Sequence, residues 1–153
     1  MRGIRQGKFK PKNPIKYKGN PTNIIYRSSW EKKFMEWCDK TESVIWWQSE
    51  ERRIPYWDPI SEKYRNYFPD FYFLFQRSDG TRQLELVEVK PAKQTKPPKK
   101  PKKQTKAWVE EVKTYVTNKA KWDAAVEWCE DHRSNFRLIT ENELKIWQTQ
   151  SLR

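Results

Sequence analysis

Two runs of β-forming residues, Tyr67 to Phe75 and Gln83 to Lys90, flank Arg77-Ser78-Asp79-Gly80-Thr81 and predict a β-hairpin. Gly80 supplies the position that tolerates positive φ. A loop of three or five residues centred on Asp79 opposes residues whose numbers add up to 158, as those of Asp70 and Glu88 do. Their side chains then share one face, with Cβ atoms about 5 Å apart. Like charges so placed are unfavourable unless a cation lies between them. Lys90, two residues past Glu88, points to the same face about 6.6 Å further along the strand. A two-residue loop would shift the register by one and move these groups apart. Pro69, just before Asp70, cannot donate to a ladder and marks a strand edge, start or bulge.

The rest of the chain builds outward from this hairpin. Residues 1–25 carry Arg2, Arg5, Lys8, Lys10, Lys12, Lys16 and Lys18 among Pro, Gly and Asn, with little apolar periodicity. They are expected to form a basic arm, mobile on its own. Ser28 with Glu31 is a capping-box signature that opens a helix. Trp30, Phe34 and Trp37 recur on that helix at helical spacing, as do Glu31, Met35 and Cys38. Strands are expected at Val44 to Gln48 and Ile54 to Trp57, the second closed by Asp58-Pro59 and a polar turn. Residues 91–107 hold seven lysines, four prolines and no acid, and predict an exposed extended loop. A helix follows from about Trp108 to Asp131, with a break expected near Asn118. A last strand is expected at Phe136 to Ile139. Thr140 with Glu143 then opens a short C-terminal helix. The order predicts one α/β domain over 26–153, a mixed β-sheet flanked by helices.

Composition narrows the partner. The chain has 153 residues and a formal charge of +12, which points to a polyanion, nucleic acid above all. Charge kept for solubility, or docking on an acidic protein, is the bland alternative. No apolar run is long enough to cross a bilayer, and the basic N-terminus lacks the apolar core of a secretory signal. Cys38 and Cys129 make no disulfide framework, which fits a reducing intracellular setting. Cys129 and His132 at i, i+3 are too few for a zinc site. His132 is the sole histidine, which argues against His-based nucleases and Ser-His-Asp hydrolases. No P-loop or dinucleotide fingerprint is present, which argues against a packaging motor.

Two carboxylates beside a lysine suit phosphodiester hydrolysis. Hard oxygen donors bind Mg²⁺ and leave water positions open, and a metal so held polarises phosphoryl oxygens. A nearby lysine orients the water or offsets growing charge. A surface salt bridge on a hairpin explains the same residues without chemistry. Glu31 lies on the stripe of Met35 and Cys38, so it faces inward and needs a partner. The capping box already employs it, so cap and ligand both stand.

Tyr-Arg-Ser-Ser-Trp-Glu at 26–31, Trp-Trp-Gln-Ser-Glu-Glu-Arg-Arg-Ile-Pro-Tyr at 46–56, Tyr-Phe-Pro-Asp-Phe at 67–71 and Leu-Val-Glu-Val-Lys-Pro at 86–91 together resemble the PD-(D/E)XK nuclease superfamily. The resemblance is nearest the branch that includes the endonuclease subunit of heteromeric transposases. It extends to the head-completion proteins of T-even-like bacteriophages and covers residues 24 to 146. It implies a restriction-endonuclease-like fold and a Mg²⁺-dependent DNA endonuclease with little sequence preference. It also implies metal binding (Mg²⁺ or Mn²⁺) by Asp70, Glu88, the Val89 carbonyl and Glu31, with Lys90 positioning the water. The implied partners are double-stranded DNA and portal, neck or other head-completion proteins, with no membrane. The implied place is the bacterial host cytoplasm during assembly, and the virion head or neck. A non-catalytic protein that caps DNA ends or the portal on a retained nuclease fold is the alternative, and a purely structural plug is a third. Arg27, Lys93, Lys96, Lys99, Lys100, Lys102, Lys103 and Lys106 are the expected phosphate contacts, which hold DNA without reading sequence. Trp108, Trp122 and Trp128 could stack on bases, but their helical spacing predicts core.

Overall fold

The computed structural model describes residues 6–144. Its centre is a four-stranded sheet in the order β3-β6-β7-β8, made of Val44–Ser49, Phe71–Gln76, Arg82–Val89 and Ser134–Ile139. β6 and β7 form the expected hairpin. Its pairs run from Phe71 with Val87 to Gln76 with Arg82, closed by five residues with Gly80 at φ 88°. The predicted register therefore holds along the whole ladder. β8 lies parallel to β7, which requires the long crossover through α2, Lys106–Asp131.

Alternation on these strands builds a core on each face. On one side Val44, Trp47, Phe71, Phe73, Val87 and Val89 meet Phe34, Met35 and Cys38 of α1, Ser29–Lys40. On the other, Tyr72 and Leu86 meet Trp122, Ala125 and Cys129 of α2. Trp46 and Trp47 divide between the two sides, as adjacent strand residues must. Cys38 and Cys129 are free thiols buried in different cores. Burial of Trp122 and half-burial of Trp128 place these rings in packing contacts rather than on an open face.

Three expectations change. Residues 6–25 are not a loose arm. β1 (Gly7–Phe9) pairs with β2 (Ile24–Tyr26), and Phe9 and Tyr17 pack edge-on against Trp47 at 5.8 and 4.7 Å. Lys16 Nζ donates to the carbonyls of Cys38, Asp39 and Thr41 at 2.7, 3.1 and 2.7 Å, capping the C-terminal end of α1. The apolar anchors of this segment are few and scattered, too sparse to show as periodicity.

The run Tyr67 to Phe75 is not one strand either. Pro69 interrupts it, so that Lys63–Tyr67 becomes β5, paired with β4 (Ile54–Asp58) in a separate ribbon, and β6 starts at Phe71. The helix does not break at Asn118. α2 is continuous over 26 residues, about 39 Å at 1.5 Å per residue. Asn118 is buried on the same stripe as Trp122, Ala125 and Cys129.

Residues 91–105 form the expected exposed connection, apart from a short 3₁₀ turn at Ala92–Thr95. Glu143 accepts from the Thr140 amide at 2.9 Å in the second capping box, which opens a helical turn at 141–144. The remainder of the expected C-terminal helix lies outside the described residues. Among the described residues no helix is long and apolar enough to cross a membrane.

Candidate active site

Four chain segments end at one edge of the sheet: the start of α1, the end of β3, the start of β6 and the end of β7. Each delivers a carboxylate or a lysine. Ser28 caps α1 and accepts from the Glu31 amide at 3.2 Å, and its hydroxyl donates to Glu31 Oε2 at 3.1 Å. The Arg27 amide donates to Glu31 as well. The cap thus aims the Glu31 carboxylate at the sheet edge, so capping and an inward-facing carboxylate come from one placement. Glu31 is only 7% exposed.

Asp70 sits where Pro69 has broken the ladder. Its Oδ2 accepts from the Val89 amide at 2.8 Å, so a side chain stands in for the missing strand partner. The Glu88 carboxyl lies beside that of Asp70, and each group bears on the ionisation of the other. Lys90 Nζ lies 3.9 Å from Glu88 Oε2, on the face expected. The structure therefore brings together Asp70, Glu88, Val89, Lys90 and Glu31.

Glu50 is the residue the sequence reading missed. Carboxylate oxygens of Glu31, Glu50 and Asp70 all lie within 4.8 Å of one another. Glu50 follows β3 with φ 54°, a left-handed backbone that costs a residue with a Cβ on the order of 1 kcal/mol. Its amide donates to the Asp70 carbonyl at 3.1 Å, which holds the strained turn in place. Arg27 grips the Glu50 carboxylate with Nε and an Nη, both at 3.1 Å. Arg27, expected as a phosphate contact, is thus engaged at the rim of the acid cluster. The one sequence cue to Glu50 was an acid directly after a buried strand.

The electrostatics follow from crowding. Burial, then the charge of Asp70, pushes the Glu31 carboxyl up to about 7. Burial and the Glu88 charge raise Asp70 well above the usual carboxylate range. Burial also raises Glu88, although Lys90, the neighbouring Asp70 and Tyr67 side chains, and Lys121 act against it. Tyr67, a second residue the sequence reading passed over, has its hydroxyl pKa raised by burial and by Glu88. Crowding and burial thus favour the uptake of protons or of a cation at this cluster. An all-oxygen donor set of this size suits a hard divalent cation such as Mg²⁺ or Mn²⁺.

The seven lysines at 93, 96, 99, 100, 102, 103 and 106 lie on the largely exposed segment that leaves directly from Lys90. Cys129 points into the core while His132 stacks on Trp128 at 3.9 Å, so the two form no ligand pair.

The family described as TnsA-like endonuclease N terminal matches residues 41–141, which hold Glu50, Asp70, Glu88 and Lys90. The chain belongs to the TnsA-like endonuclease N-terminal family. It is also 41% identical over 143 residues to the head completion nuclease of Enterobacteria phage T4, covering 91% of this chain and 93% of that protein. No solved structure matches the chain. For a TnsA-like endonuclease domain, a mixed sheet with helices on both faces is the restriction-endonuclease-like arrangement expected.

Proposed function

We propose that the protein is a metal-dependent endodeoxyribonuclease that hydrolyses phosphodiester bonds with little sequence preference and acts in phage head completion. The carrying observation is the meeting of Glu31, Glu50 and Asp70 oxygens within 4.8 Å, with Glu88 and Lys90 directly beside them. The T4 relative's name supports the biological setting, and with it assembly in the host cytoplasm beside portal or neck proteins.

Asp70, Glu31 and Glu50 would hold Mg²⁺ or Mn²⁺, with Glu88 and the Val89 carbonyl completing the donor set. A divalent ion bound there polarises a phosphoryl oxygen and lowers the pKa of water. The protein's own groups do the rest. The Lys90 ammonium, anchored by Glu88, orients the attacking water and offsets charge that develops on the phosphate. The Asp70–Val89 hydrogen bond fixes one ligand in place before substrate arrives. Arg27 holds Glu50 in its strained turn.

Basic segments on both sides of the site would carry the DNA backbone. Lys93, Lys96, Lys99, Lys100, Lys102, Lys103 and Lys106 lie on the connection after Lys90. Lys8, Lys10 and Lys12 line a groove with Lys32 and Lys40 beside α1. Neutralising four of the loop lysines as Gln should weaken duplex binding at low salt. The slope of log affinity against log salt should flatten by about 0.9 for each phosphate that a lysine no longer neutralises. An unchanged slope would remove the loop from the DNA path.

The direct test is incubation of supercoiled and linear DNA with the purified protein in Mg²⁺ or Mn²⁺. Nicking that a chelator abolishes and added metal restores is the expected result. Metal binding without any cutting would favour a protein that caps DNA ends on a retained nuclease fold.

A further inference from the structure

The β4–β5 ribbon leaves the chain just after Glu50 and returns into Asp70, so both ends are anchored in the acid cluster. Its inner face buries Ile54, Tyr56 and Tyr67 against α2. Among the described residues nothing packs over its outer face. Cross-strand pairing sets Pro55 opposite Asn66 and Trp57 opposite Tyr64 on that face, and alternation adds Phe68. Trp57, Tyr64 and Phe68 are 48%, 75% and 47% exposed, and the first two meet edge-on at 5.1 Å. No acid lies between Trp57, Tyr64 and Phe68; Arg53 is an exposed cation on the same face, and Glu62 marks the far end of the row, in the turn.

Position decides what such a row can touch. Phe68 is two residues from Asp70, and Tyr64 is six, so the row runs outward from the site for about 20 Å. That length spans roughly three to six nucleotides, depending on how far the strand is stretched from the ~3.4 Å spacing of a stacked helix. In duplex DNA the faces of the bases are covered by their neighbours and the grooves show only edges, which a row of Trp, Tyr and Phe reads poorly. Unpaired bases offer faces, and aromatic rings beside cations are what binds them.

We propose that the outer face of the β4–β5 ribbon is a base-stacking platform for unpaired nucleotides flanking the scissile phosphate. The preferred substrate is then DNA with single-stranded character beside the cut, such as an overhang, fork or frayed end. This rests on the nuclease function proposed above and specifies its substrate.

Binding measured in a chelator separates the two ideas. Fluorescence anisotropy would compare a duplex carrying a six-nucleotide overhang with the same duplex made blunt. Trp57→Val/Tyr64→Thr keeps β-forming residues at both positions. The parent should favour the overhang. The variant should lose affinity for it about tenfold or more, with blunt duplex unchanged. In the parent, 5-iodouracil placed in the overhang should cross-link to Trp57 or Tyr64, a result that does not depend on the variant's folding. Equal affinity of the parent for both DNAs would overturn the proposal, as would overhang binding unaffected in a folded variant or cross-links confined to other residues. A protein partner that binds this face while overhang DNA does not would overturn it too. Should the parent cut no DNA in any metal, the nuclease reading fails while these binding results still judge the ribbon.

Discussion

Asp70→Asn should lower the rate of metal-dependent DNA cleavage by about 10³-fold or more while leaving the protein at least as stable in a chelator. Asp70 is the one carboxylate common to both parts of the site. It lies within 4.8 Å of Glu31 and Glu50, and its carboxyl neighbours that of Glu88. An amide of nearly the same shape can still accept from the Val89 N–H, now 2.8 Å from Oδ2, so the sheet edge need not rearrange. What disappears is one acid of a crowded cluster, whose negative charge is unfavourable without a cation and is needed by the proposed cleavage reaction. Lys90→Met should lose about 10²-fold, since it removes a single cationic group near the phosphate and no ligand. Single-turnover nicking of supercoiled DNA reads the rates, and thermal melts in chelator read the stability. Parent-like cleavage by Asp70→Asn would remove Asp70, and with it the proposed metal site, from the chemistry. A large loss of stability would mean instead that the carboxylate is structural.

The contrast between Asp70 and Glu50 shows what a sequence can disclose about such a site. Asp70, Glu88 and Lys90 were legible because a five-residue loop and the twofold period of a strand leave little freedom in where they point. Glu31 was legible as an inward-facing cap because helical spacing ties it to Met35 and Cys38. Glu50 follows none of these rules. It sits in a left-handed turn with no Gly or Asn to announce it, and its amide is bonded to Asp70, 20 positions away. Pro69 was visible as an interruption, but where the chain goes after an interruption depends on tertiary partners, here α2 beneath the ribbon. The same holds for residues 6–25. Phe9, Tyr17 and Ile24 are isolated in a basic sequence, yet each finds the core.

The acid cluster should also make stability fall as pH rises, in a window that metal closes. The unperturbed glutamate value is 4.5 and the Glu31 carboxyl in the folded protein is pushed up to about 7. Between those two values the folded state holds a proton that the unfolded chain has released. Stability from this group is therefore fully present below pH 4.5, declines as pH rises through the window, and is gone above about 7. The interval corresponds to about 3 kcal/mol at ~1.36 kcal/mol per unit. Asp70 and Glu88 are raised as well and act in the same direction. A cation takes the place of the protons, so saturating Mn²⁺ should stabilise the protein far more at pH 8 than at pH 5. Glu31→Gln keeps a side-chain acceptor for the Ser28 hydroxyl and the Arg27 amide but cannot ionise. It should flatten the decline and weaken the effect of Mn²⁺. Denaturant unfolding of parent and variant from pH 5 to 8, with chelator and with Mn²⁺, measures each of these effects. A metal-free protein that gains stability across that range would show that the three acids are not crowded as the geometry requires.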